Sequence, residues 1–181
     1  MVRPCHNDGQ LPASAAALPP LSSDVIAVTD ALHHGFAEIL GDAVASFFLY
    51  GAVAFPRPDG WKIDFDFHVL LHRALDESER AAITDLYAEI GARSELGRDL
   101  DGYLVLLADA TGADPPRHQL DLTTRDEAWA LHRAHVLASR YFLVTGTDPR
   151  EIVAQPSWTE LEAALRAELT FVAAHPDAPA F

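Results

Sequence analysis

Two aspartates stand inside a run that otherwise reads as a buried strand, Ile63-Asp64-Phe65-Asp66-Phe67-His68-Val69-Leu70-Leu71. The two-residue period of an extended chain puts Asp64, Asp66 and His68 on one face and Phe65, Phe67 and Val69 on the other. Neighbouring like charges repel and lower strand propensity, so nothing about folding asks for them here. A cation does. Carboxylates two residues apart on a rigid strand can share hard divalent ions such as magnesium, with coordination positions left for phosphate oxygens. Upstream, the run Phe47-Phe48-Leu49-Tyr50 ends at Gly51-Ala52, thirteen residues before Asp64. A glycine at that point lets backbone amides approach an anion closely. Together the two stretches outline a phosphate-binding turn beside a metal-binding strand.

At these residues the sequence resembles the nucleotidyltransferase superfamily. Its signature is an apolar strand, Gly followed by Gly or Ser, a gap of a dozen or so residues, and Asp-x-Asp or Asp-x-Glu in a second strand. Gly51-Ala52 and Asp64-Phe65-Asp66 fill those places. Ala52 departs from the pattern, because the small turn is kept but a hydroxyl that would contact the nucleotide phosphates is lost. The resemblance implies an α/β fold, a mixed twisted sheet of four to five strands flanked by helices. It also implies ATP as co-substrate, Mg2+ on Asp64 and Asp66, and nucleotide contacts at Gly51 and Ala52. Arg57 and Lys62, in the loop between the two strands, could meet phosphate or stand as solvated charges; Lys62 is the chain's sole lysine.

The superfamily adds a third carboxylate from a neighbouring strand. Alternation in His118-Gln119-Leu120-Asp121-Leu122-Thr123 reads as a short strand with Gln119, Asp121 and Thr123 on one face, which makes Asp121 the candidate. As a metal ligand or a base it would activate an attacking hydroxyl. The segment Leu143 to Val153, with Pro156 and the helix after it, looks like the corresponding part of streptomycin/spectinomycin-type aminoglycoside adenylyltransferases. In that family the proposed base follows a Leu in the third strand, and it falls on Asp121. Those enzymes continue with a helical domain that closes over the antibiotic, whose substrate-binding residues have no counterpart here.

Elsewhere the pattern predicts a helix from Ser22-Ser23-Asp24 to Gly41, strands at Val44–Tyr50, Ile63–Leu71 and Tyr103–Leu107, and a helix opening on Asp76-Glu77-Ser78-Glu79. Asp126 to Ser139 reads as a helix, Tyr141 to Val144 as a short apolar segment, and Ser157 opens a last helix with Leu161, Leu165, Leu169 and Val172 on one face. His68 shares the face of the two aspartates, as a neighbour of the metal site or a filler of its far end. His132 and His135 lie one turn apart, a spacing that could hold a metal, but with no third ligand evident they are expected to face solvent.

At 181 residues, 49% of them hydrophobic, the chain suits one domain: a flexible arm over residues 1–21, the nucleotidyltransferase-like body over 22–155, and a helix and tail over 156–181. A net charge of −14 argues against nucleic acid or an anionic membrane as the main partner. Cys5 is the only cysteine, and with no signal-peptide pattern a cytoplasmic setting is expected. The expected activity is magnesium-dependent transfer of a nucleoside monophosphate, AMP from ATP, to a hydroxyl of a small molecule, with aminoglycoside-like compounds among the candidate acceptors and a homo-oligomer among the candidate assemblies. The alternative is a catalytically inactive nucleotidyltransferase-like module that binds a nucleotide or a partner protein.

Overall fold

In the computed structural model, which describes residues 17–56 and 63–174, four strands form one mixed sheet. They are β1 (Val44–Leu49), β2 (Phe65–Leu71), β3 (Leu100–Leu106) and β4 (Phe142–Gly146), in the spatial order β3-β2-β1-β4. β1 runs antiparallel to β2 and β4, whereas β2 and β3 are parallel. A parallel pair needs a crossover, and α2 (Glu77–Arg93) supplies it. The sheet therefore matches the expected class, with the four-strand count at the lower end.

Both faces of the sheet are covered, which explains why every residue of β2 is buried. On one face Phe47, Leu49, Phe65, Phe67 and Val69 pack against α1 (Ser23–Leu40) and α2, whose contacts include Val28, Leu32, Phe36 and Ile83. Phe47 sits edge-on to Phe36 at 5.4 Å and to Phe67 at 5.7 Å, with no exposed surface. Phe47→Ala should therefore cost about 3–5 kcal/mol of stability in urea denaturation, and a loss below about 1 kcal/mol would contradict this packing. On the opposite face Phe48, Tyr50 and Leu70 meet Trp129 and Val136 of α4 (Trp129–Leu137). Between β3 and α4 lies the short helix α3 (Leu107–Ala110).

The helix starts follow the capping chemistry read from the sequence. Ser22 accepts from the Val25 amide, and Asp76 and Glu79 form a reciprocal capping box. Ser157 and Glu160 pair in the same way at the start of α5 (Trp158–Ala174), where Glu160 also meets the buried Arg133 of α4. Most of the expected apolar face of α5 is uncovered: Leu165, Leu169 and Val172 are exposed, and Leu161 is half-buried. No helix among the described residues is long and apolar enough to cross a membrane.

One expected strand is absent. Residues 118–123 form a loop pinched by a single bridge between Arg117 and Arg125. The reason is local: Asp121 accepts from the Thr123 amide and from the Thr123 and Thr124 hydroxyls, while the Thr124 amide donates to the Asp121 carbonyl. Such side-chain bonds give the backbone a turn in place of a ladder.

Candidate functional site

β1 ends at Leu49, and after Tyr50 the chain turns through Gly51 into a 3-10 helix over Gly51–Ala54. Gly51 has φ +64°, and a Cβ placed there would lie 1.8 Å from Asp66 Oδ2. Only glycine brings the turn this close to the carboxylate. Asp66 is buried and accepts a 3.4 Å bond from the Ala52 amide, while its own carbonyl accepts from the Tyr50 amide. The turn and the acidic strand are thus one unit. Asp64 precedes β2, half-buried.

The parallel register pairs Asp66 with Asp101 on β3, so two carboxylates project side by side from adjacent strands. Burial pushes the Asp66 carboxyl up to about 7, helped by Asp101 and Asp64 and opposed by the Ala52 amide. Asp101 is the exposed member of this group, yet lost hydration raises its carboxyl too, with His132 and His68 pulling it back. The structure therefore brings together Asp64, Asp66 and Asp101.

Asp121 does not join them as expected. It is exposed in the loop, and the hydrogen bonds from Thr123 and Thr124 hold its carboxyl down at about 2. Those bonds already occupy both of its oxygens. Lys62 and Arg57 fall outside the described residues.

On the same face of β2, His68 is fully buried, and its Nε2 lies 2.9 Å from Asp126 Oδ2. His132 Nδ1 lies 2.8 Å from the same oxygen. The expectation that His132 faces solvent is thus overturned, its side chain being 16% exposed. His135 is half-buried, its Nδ1 without a hydrogen-bond partner among the described residues. Burial works against ionising Asp126, but the charges and hydrogen bonds of His132 and His68 outweigh it and hold the carboxyl below the usual range. For His132, burial is outweighed by Asp126, Asp66 and Asp101, which raise the imidazole. For His68 burial wins and lowers it. The Tyr50 ring spans the two groups, 4.8 Å from His68 and 4.6 Å from His132, and burial with the nearby carboxylates keeps its phenol protonated.

Sequence reasoning missed Asp101 and Asp126. The first was findable: Asp101 and Tyr103 alternate with Gly102 and Leu104, but a strand begun at Tyr103 leaves the acid outside. The second had no local signal, since Asp126 meets His68 from 58 positions away.

An apolar strand, a glycine turn and an acidic strand in a mixed sheet make a nucleotidyltransferase-like fold, and one solved structure overlays on it well enough to support that fold. A spectinomycin adenyltransferase AAD(9) from Enterococcus faecialis, solved with ATP and spectinomycin, overlays with a TM-score of 0.58 at 10% identity, over 84% of this chain and 69% of that one. A toxin–antitoxin structure with AMP-PNP overlays more loosely, with a TM-score of 0.37 at 14% identity, over 82% and 92% of the two chains. A tri-AMPylated Shewanella oneidensis HEPN toxin in complex with MNT antitoxin gives a TM-score of 0.32 at 15% identity, over the same shares. The two looser overlays carry no weight for fold or function. No family model and no curated protein matches the sequence.

Proposed function

We propose that this chain is a magnesium-dependent nucleotidyltransferase that moves AMP from ATP to a hydroxyl of a small molecule. The observation that carries the reading is the pairing of Asp66 with Asp101 directly beneath the Gly51 turn. The donor set fits Mg2+: Asp64, Asp66 and Asp101 offer oxygens alone, and burial, with Asp101 and Asp64 beside it, raises the Asp66 carboxyl to about 7, a charge that a bound cation would offset. When bound, the ion would neutralise phosphate charge as the α-phosphorus is attacked.

The residues of the chain supply the rest. The Gly51–Ala52 turn offers a close backbone approach for phosphate. Asp101, the exposed acid of the trio, is placed to take the proton of the acceptor hydroxyl, and its raised pKa brings it nearer the range useful for a base. The acceptor oxygen bonds to the α-phosphorus, the bond to the bridging oxygen breaks, and pyrophosphate leaves. Asp121 has no part in this step.

Transfer of the α-phosphate label of ATP, with pyrophosphate release, tests the assignment. Spectinomycin is the first acceptor to screen, because the AAD(9) structure holds it with ATP. Asp101→Asn should lower the rate about 10²–10⁴-fold, the range for loss of a general base, whereas Asp121→Ala should leave it within about twofold. The reverse order would return the role to Asp121. A binding-only module is the second reading, favoured by the Ala52 amide already donating to Asp66 rather than standing free for phosphate. It predicts nucleotide binding without pyrophosphate release from ATP, whichever acceptor is supplied.

A further inference from the structure

His68, Asp126 and His132 reach one point from three elements: β2, the loop before α4, and α4 itself. One ligand atom from each, two imidazole nitrogens and a carboxylate oxygen, lies within 4.8 Å of the others. We propose that this cluster is a second cation site, selective for a borderline transition-metal dication of the zinc class and separate from the oxygen-only trio of Asp64, Asp66 and Asp101.

Donor chemistry makes the distinction. Imidazole suits zinc, cobalt and nickel, while carboxylates alone suit magnesium. Two histidines and one carboxylate leave a fourth position open, the arrangement of zinc sites that bind water or substrate. The partly exposed edge of His132 supplies access, and the other two ligands are sealed. Alternate residues on a strand are about 7 Å apart, so His68 sets this site one step beyond Asp66 on the same face.

The His68 ring is already fixed. A ligating histidine is ordinarily oriented by a hydrogen bond at its other nitrogen, and His68 Nδ1 has no such partner among the described residues. Stacking takes that role: Phe48 lies against the His68 ring at 5.6 Å and 13°, and Tyr103 against it at 5.8 Å and 20°. A tetrahedral ion with bonds near 2.1 Å separates its ligand atoms by about 3.4 Å. The present 2.8 and 2.9 Å contacts must therefore open by about half an ångström. His132, at the accessible edge of the cluster, is the ligand free to give.

Cobalt(II) titration of the chelator-treated full-length chain tests the site by visible absorption. One equivalent should give the ligand-field bands of a four- or five-coordinate ion, displaced by Zn2+ and not by millimolar Mg2+. Loss of an outer-shell partner alone costs 10–100-fold in metal affinity, so His132→Ala should weaken cobalt binding by about 100-fold or more. Asp64→Asn/Asp66→Asn should keep it. Because His68 and Asp126 are fully buried, the partly exposed His132 is the position to vary, with circular dichroism confirming the fold. Absence of cobalt binding in the wild type overturns the proposal, as does binding that survives His132→Ala and disappears in Asp64→Asn/Asp66→Asn. The proposal does not rest on nucleotide transfer, so either can fail alone.

Discussion

Asp66→Asn is expected to stabilise the metal-free protein at pH 8 while abolishing magnesium-dependent nucleotide binding. The two effects have one cause. Asp66 is buried beside two other carboxylates, and its pKa rises from 3.8 to about 7. The folded state therefore holds a proton that the unfolded chain has lost between those values, and stability falls as pH rises through that window. Above it, the native state carries an ionised carboxylate against burial and repulsion. Asparagine removes that charge and can still accept from the Ala52 amide. The gain should be about 2 kcal/mol or more in urea denaturation at pH 8, and should shrink steadily on acidification towards pH 4. A loss of stability at pH 8 would show that the carboxylate is already compensated. On the proposed function, nucleotide binding moves the other way, because that same charge is what would hold the cation.

Gly51→Ala is expected to be the most damaging single-methyl change in the site. At φ +64° an alanine costs about 1–2 kcal/mol through its Cβ alone. That Cβ would also stand 1.8 Å from Asp66 Oδ2, so the carboxylate has to leave its position. A total loss of about 2–4 kcal/mol and at least tenfold weaker MgATP binding should follow. Gly41 is the control: its φ is also positive, at +54°, yet a Cβ there meets nothing within 4 Å. Gly41→Ala should cost the backbone penalty and leave binding intact. If both variants bind nucleotide equally, contact between the turn and the acidic strand has no functional role.

Where local chemistry decided the structure, the sequence was readable. The Asp76 capping box, the Ser22 cap and the alternation of β2 each depend on neighbours a few residues away, and each formed as expected. Gly51, Asp64 and Asp66 came from the same kind of local pattern. Errors arose where one pattern had two solutions. His118 to Thr123 alternates like a strand, but its Asp-x-Thr-Thr end can satisfy the backbone by itself, and the turn prevailed. Asp101 was lost for want of two residues at the start of β3. The His68–Asp126–His132 cluster is tertiary: α4 must cross the sheet before a helix histidine and a strand histidine can share one carboxylate. No period along the chain encodes that meeting.

Calorimetric titration of ATP with and without magnesium, into the wild type and Asp64→Asn/Asp66→Asn, tests the central claim most directly. The account predicts binding that requires magnesium and disappears in the double variant. Wild-type protein that binds no nucleoside triphosphate under either condition, or a double variant that binds MgATP as tightly as the wild type, would contradict it.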